Sequence, residues 1–162
     1  MKTLVLLIAF FPFLLLSQKV KITVQTHIPY CGAARPTAEI GKGHDEISAN
    51  YVIVLIERTS KKRVQITTDK NGNWTGKLKK GVYEAYRLDK TLSNEELKSK
   101  YKLENTENFR FLGDECLNEW KLENDGVIEV SSKKKQTFTI TIRSYCYRGT
   151  VPCWEYTGKK PY

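Results

Sequence analysis

The chain has 162 residues, and its 27 lysines and arginines against 18 aspartates and glutamates give a formal net charge of +9. This length suffices for one domain with a buried core. Only two histidines and four cysteines are present, so the usual general bases and thiol nucleophiles are scarce and we expect no enzymatic activity.

The first part of the chain has the pattern of a secretory signal. A lysine precedes an apolar run over residues 4–16, and the small residue Ser17 follows it. We predict a signal peptide at residues 1–17 and a single secreted or periplasmic domain at residues 18–162. The alternative is an uncleaved anchor helix, but Pro12 interrupts the run and the run is short for a membrane span. No later stretch is apolar enough, so we expect no stable membrane insertion.

Seven later segments predict β-strands separated mainly by turns. Residues 19–25 alternate apolar and polar side chains, as in a half-buried strand, and residues 51–56 are apolar throughout, as in a strand covered on both faces. The predicted strands are residues 19–25, 51–56, 64–68, 74–80, 82–88, 127–130 and 137–145. Because helices do not alternate with these strands, the pattern indicates an all-β protein, an antiparallel β-sandwich.

The third, fourth and fifth strands form a predicted meander. Residues 69–73 combine Asp, Asn and Gly, which supply the side-chain hydrogen bonds and positive φ angles of a tight turn. The side chains that we expect to share one face of each strand are Val64, Ile66 and Thr68, then Trp74 and Leu78, then Val82, Tyr86 and Leu88.

One short helix is predicted between the fifth and sixth strands. Ser93 and Glu96 have the spacing of a capping box, and Leu97 with Tyr101 forms a short apolar stripe. We expect this helix to cover one end of the sandwich without a chemical role.

Cys31, Cys116, Cys146 and Cys153 follow the export signal, and four cysteines in an oxidising compartment favour two disulfides. Three pairings are open. We prefer Cys31 with Cys153 and Cys116 with Cys146, although the turn at residues 149–152 could instead fold Cys153 onto Cys146. Zinc is the competing use of cysteines, but the chain has no C-x-x-C pair, so we expect no metal site.

Basic residues form short clusters along the chain. Most of them lie in or beside predicted turns, where solvated lysines keep sheet edges from pairing with other molecules. An anionic polymer or a membrane surface is the alternative partner, whereas nucleic acid is not expected for an exported chain without aromatic-flanked basic motifs. The clusters are residues 61–63, Lys77 with Lys79 and Lys80, residues 133–135, and residues 159–160.

A family resemblance rests on the predicted meander. Asp69, Gly72 and Trp74 match a D-x-x-G-x-[FWY] turn, and Gly81 with Tyr83 matches a G-x-Y strand start. With the flanking strands, this resembles the carboxypeptidase regulatory-like domains, which share the transthyretin (prealbumin-like) sandwich. The cysteine-bearing loop at residues 30–36 and the cysteine-bearing ending resemble those of small exported bacterial proteins of this type.

The resemblance implies a non-catalytic module, without a cofactor, for ligand binding, adhesion or envelope structure. Its partner is unknown; a cell-envelope polymer or protein fits an exported module. Exposed aromatic residues and one loop are the predicted binding surface, namely Tyr30, Arg35, Trp154 and Tyr156.

An enzymatic relative offers the alternative. Hydroxyisourate hydrolases have the same sandwich and end in Y-R-G-S, which residues 147–150, Y-R-G-T, resemble; His27 also follows the first strand as in that family. This chain departs from the pattern because more residues follow the tetrapeptide, cysteines flank it, and the final strand lacks the family's histidine. His44 lies in a polar loop and does not replace that histidine.

Overall fold

In the computed structural model, which describes residues 17–32 and 34–159, ten strands and two α-helices form the regular structure. The predicted signal peptide lies outside the described residues except for Ser17, which begins the first strand. The elements are β1 Ser17–Ile28, β2 His44–Ile47, β3 Val52–Glu57, β4 Arg63–Thr67, β5 Asn73–Lys79, β6 Gly81–Arg87, α1 Asn94–Tyr101, β7 Phe109–Phe111, α2 Asp114–Leu122, β8 Gly126–Val130, β9 Lys135–Arg143 and β10 Trp154–Tyr156.

The first sheet is built around β1. Strand β9 runs parallel to β1 along one edge, and β5 and β2 run antiparallel to successive halves of β1, so they share its other edge. The predicted sandwich is therefore antiparallel except for this one pairing. The exception arises because the chain crosses between the sheets after β8, so β9 starts at the same end as β1.

The second sheet is antiparallel throughout, in the order β4-β3-β6-β8. The predicted turn between β4 and β5 is confirmed, but the predicted meander is wrong: β4 and β6 pair with β3 in the second sheet, whereas β5 pairs with β1 in the first, so the turn carries the chain from one sheet to the other. The Asp69 carboxylate accepts hydrogen bonds from the backbone N–H groups of Asn71 at 2.8 Å and Asn73 at 2.9 Å, and Gly72 takes the positive φ of 69° that the turn needs.

The two sheets enclose the main core, which confirms the predicted sandwich. Alternate residues of the strands point inward, and the core includes Val20, Ile22, Val24, Ile53, Leu55, Ile66, Leu78, Tyr83, Ala85, Ile128, Val130, Ile140 and Ile142. The observed strands exceed the predicted seven because β2, β7 and β10, each only three or four residues long, were not recognised.

Val82 and Tyr86 share one face of β6, as predicted, whereas Leu88 lies just beyond the strand. That shared face is not the core face, because Tyr83, Ala85 and Arg87 are the buried residues. Here Tyr83 is anchored inward because its hydroxyl donates to the Lys79 carbonyl at 2.9 Å.

A second, smaller core lies where the segment between β6 and β8 meets the C-terminal segment. The predicted capping box of α1 is confirmed: the Glu96 N–H donates to Ser93 Oγ at 3.2 Å, and Glu96 Oε2 accepts from the Ser93 N–H at 2.7 Å. The prediction of one helix was wrong, because α2 also forms and buries Leu117 and Trp120. This core consists of Leu97, Leu103, Leu117, Trp120, Val151 and Cys153.

Candidate functional site

Two disulfides form, and one of them joins the loops at the carboxyl ends of β1 and β9. Cys31 pairs with Cys146, and Cys116 pairs with Cys153. All four cysteines are therefore bridged, as expected, but both the preferred pairing and the alternative of Cys153 with Cys146 were wrong.

Strand topology explains the pairing that forms. Because β1 and β9 are parallel neighbours, their carboxyl ends leave the sheet side by side, and each strand reaches a cysteine three residues later. Cys116 on α2 and Cys153 before β10 instead meet in the second core.

The Cys31–Cys146 bridge lies in an open groove of about 370 Å³, which we call the aromatic groove. Three tyrosines line it, and the Tyr147 hydroxyl donates to the Cys31 carbonyl, which ties the two loops together. The residues of the groove that matter below are Tyr30, Cys31, Cys146, Tyr147, Arg148 and Tyr156.

The short β7–β10 ladder continues the groove as a row of aromatic rings. The Tyr147 and Tyr156 ring centroids are 5.1 Å apart, Tyr156 meets Phe109 edge-on at 5.1 Å, and Phe109 stacks on Trp154 at 4.3 Å. Such spacing is favourable for aromatic pairs. The buried Trp154 indole nitrogen has no hydrogen-bond partner among the described residues.

Charged groups border the groove. Glu155 also lines it, and its carboxylate forms an exposed ion pair with Arg110 at 2.6 Å. The Arg148 guanidinium donates to the Pro152 carbonyl at 3.1 Å and lies 5.3 Å from the centre of the Tyr145 ring. The groove therefore combines apolar ring faces with one acidic and one basic side chain.

Of the predicted binding residues, the structure brings Tyr30 and Tyr156 together in the groove, with Trp154 behind Phe109 in the aromatic row. Arg35 is exposed on the loop after Cys31 and is not one of the groove-lining residues. Tyr147 and Glu155 also line the groove but were not among the predicted residues. Their nearness in sequence to Cys146 and Cys153 becomes a signal only once the disulfide pairing is known.

A buried ion cluster lies on the other side of the turn at residues 145–150. It consists of Arg87, Asp89, Lys90 and Asp125, and its two basic groups lie 4.6 Å and 5.1 Å from the centre of the Trp120 ring. Arg87 Nη2 donates to the Thr150 carbonyl at 2.9 Å, and Lys90 Nζ donates to the Glu123 carbonyl at 2.6 Å. Arg87 thus anchors the turn that carries the three groove residues Cys146, Tyr147 and Arg148.

This cluster perturbs two neighbouring tyrosines. Burial raises the pKa of Tyr51 to about 12, and the nearby Arg87 guanidinium opposes part of that rise. Burial, together with the hydrogen bond that its hydroxyl donates to Asp89, raises the pKa of Tyr101 well above its ordinary value. Both tyrosines therefore stay neutral at physiological pH. The cluster also borders a polar cavity of about 200 Å³ with Arg143 and Tyr145.

The residues of the hydrolase alternative occupy different elements. His27 on β1 pairs with Asp45 on β2 at 2.8 Å, and His44 pairs with Glu46 at 3.2 Å, whereas Arg148 lies on the turn after β9. Over residues 17–32 and 34–159, no group of three or more His, Cys, Asp and Glu side chains is arranged to hold a metal ion.

Neither α1 nor α2, nor any other helix in the described part of the chain, has the length and apolar content needed to cross a bilayer. Two disulfides fit a protein that folds outside the reducing cytoplasm. Comparison with protein-family models, with curated proteins and with solved structures finds no match to this chain.

Proposed function

We propose that this chain is an exported, non-catalytic binding module of the transthyretin-like type, and that its aromatic groove binds the sugar units of a cell-envelope polymer. The observation that carries the proposal is the groove itself, in which three tyrosines surround the Cys31–Cys146 bridge. Its volume of about 370 Å³ lies within the range of small-ligand sites.

The chemistry of the groove suits a sugar ring. The face of a pyranose carries C–H groups that stack on aromatic rings, and its hydroxyls hydrogen-bond to charged and polar side chains. Tyr147 and Tyr156 supply neighbouring rings, and Arg148 and Glu155 supply a donor and an acceptor beside them. The disulfide and the aromatic row hold these groups in place before a ligand arrives, which lowers the entropy cost of binding.

A binding assay with envelope polysaccharide tests this proposal. Tyr147→Ala and Tyr156→Ala should each weaken binding about tenfold or more, because truncation of a central aromatic residue typically removes at least ~1–2 kcal/mol. Tyr86→Ala is the matched control, since Tyr86 is a half-buried tyrosine on the outer face of the second sheet. Equal binding by the groove variants and the wild-type protein would contradict the proposal.

The non-catalytic part has its own test. His27 and His44 each pair with a carboxylate, and the Arg148 guanidinium donates a hydrogen bond to the Pro152 carbonyl. Because the histidines and the arginine make these separate contacts rather than contacts with one another, the arrangement favours a module without turnover. Purified protein given hydroxyisourate should hydrolyse it no faster than buffer alone. Turnover that disappears in His27→Ala and Arg148→Ala would show that the chain is an enzyme.

A further inference from the structure

Strand pairing brings three lysines side by side on the first sheet. Lys19 on β1 lies directly opposite Lys77 on β5 and directly beside Lys135 on β9. Paired residues point to the same face of a sheet, on strands about 4.8 Å apart. All three residues are exposed, so they form a row of positive charge across the outer face.

The charge extends to the neighbouring rows. Lys79 pairs with Ser17 on one side of this row, and Lys21 lies between Thr75 and Thr137 on the other. Strands β1, β5 and β9 together carry no acidic residue. We call the surface formed by Lys19, Lys21, Lys77, Lys79 and Lys135 the lysine face.

More lysines border the same end of the sandwich. Lys62 and Lys80 line one cavity together with Lys77 and Lys79, and the carboxylate in that cavity is Glu57. The Glu57 carboxylate accepts hydrogen bonds from the backbone N–H groups of Thr59 and Ser60, so it serves the turn after β3. Positive charge therefore exceeds negative charge on this surface.

Protection of sheet edges explains only part of the arrangement. Lysines on an edge strand discourage pairing with another chain, and Lys77 and Lys79 on β5 and Lys135 on β9 fit that role. Lys19 and Lys21 lie on β1, which is paired on both edges. Like charges directly opposite each other destabilise a sheet, so this row costs stability and indicates that the lysines act in binding.

We propose that the lysine face binds a linear polyanion, a polymer that carries phosphate, sulfate or carboxylate groups at regular intervals. Ammonium groups bind such anions as point charges, and the hydroxyls of Thr75 and Thr137 are available beside them. The rows from Lys79 to Lys21 present only lysine, serine and threonine, without an apolar side chain to insert into a bilayer. This chemistry favours a polymer over a membrane surface.

The proposal does not depend on the aromatic groove, which lies beyond the other end of β1. Nine residue steps separate Lys19 from the end of β1 at Ile28, and at ~3.3 Å per residue this is about 30 Å. Variants of one surface should therefore leave binding at the other surface unchanged.

Binding of the exported protein to long-chain polyphosphate and to dextran sulfate tests the proposal. The double variant Lys19→Gln/Lys77→Gln should bind about tenfold or more weakly, and the wild-type affinity should fall linearly with salt on a log–log scale, because bound cations are released. The matched control is Lys42→Gln/Lys100→Gln, which removes the same charge from two other exposed positions and should change affinity less than about twofold.

Neutral dextran, inorganic phosphate and anionic vesicles are three further ligands that test the proposal. Neutral dextran and inorganic phosphate should bind at least about tenfold more weakly than the polyanions, since neither offers several charges at once. An equal loss in the two double variants would mean that only net charge matters, and would overturn the proposal. Tighter binding to vesicles containing anionic phosphatidylglycerol than to either polyanion would also overturn it, in favour of a membrane surface.

Discussion

Removal of the groove disulfide by Cys31→Ala/Cys146→Ala should destabilise the domain more than most single changes. The bridge closes a loop with a sequence separation of 115, and the Cys116–Cys153 bridge one of 37. In the chain-entropy model these loops correspond to about 5 and about 4 kcal/mol of stabilisation. Typical domains have a total of only ~5–15 kcal/mol, so the groove variant should be close to unfolding.

Urea unfolding followed by tryptophan fluorescence measures this effect. The free energy of unfolding should fall by about 4–5 kcal/mol, and the slope of that energy with urea should rise, because the unfolded chain expands once the crosslink is gone. The variant Cys116→Ala/Cys153→Ala is the comparison; its unfolded chain should expand less because its loop is shorter. A loss below ~1 kcal/mol with an unchanged slope would refute this reasoning.

Three other changes give distinct expectations. Asp125→Ala should cost about 3–5 kcal/mol in urea unfolding, because the buried Lys90 ammonium loses its carboxylate partner at 3.1 Å and Arg87 keeps only Asp89. A loss below ~1 kcal/mol would show that the ion pair of Lys90 with Asp125 is not needed. Lys19→Glu should stabilise the sheet by about 0.5–1 kcal/mol in low salt, and a gain that persists in ~1 M NaCl would not be electrostatic. Backbone hydrogen bonds from Ser60 and Thr59 lower the pKa of Glu57 from 4.5 to about 2, so its carboxylate stabilises the fold above pH 4.5 and this contribution disappears as the pH falls to 2. Glu57→Gln should therefore lower the melting temperature at pH 7 but not at pH 2. An equal decrease of the melting temperature at both pH values would contradict this expectation.

Local patterns in the sequence predicted local structure correctly. Alternation in β1 and β9, the turn at Asp69 and the capping box at Ser93 each depend on residues within a few positions of one another. Such signals do not need the rest of the fold. The short strands β7 and β10 lack them, because three residues are too few to establish a period.

The second helix shows where a local signal was present but misinterpreted. Leu117 and Trp120 lie in the second core, and Cys116 packs against it. Trp120 follows Leu117 by three residues and Cys116 by four, which are the spacings of neighbours on a helix surface, and α2 contains all three residues. Cys116 was interpreted only as a disulfide partner, and the helical spacing around it was not recognised.

Long-range pairing accounts for the larger errors. The parallel contact of β1 with β9 joins segments more than a hundred residues apart, and nothing in either segment specifies it. That contact determines which cysteine lies beside Cys31, and it places Lys135 next to Lys19. The wrong disulfide pairing and the unrecognised position of Lys135 beside Lys19 therefore have one cause.

The two proposed surfaces lie near opposite ends of β1, so a single long polymer can contact both. The lysine face lies near the amino end of β1 and the aromatic groove beyond its carboxyl end, about 30 Å apart at ~3.3 Å per residue. A polymer that carries both sugar rings and charges can occupy both surfaces only if it spans that distance, and the second contact then forms at a high effective concentration. Fragments shorter than the span can reach one surface alone. If one polymer uses both surfaces, its affinity should rise steeply once the fragments are long enough to span them. Mutation of either surface should then return the affinity to that of short fragments, whereas two independent sites would show neither effect.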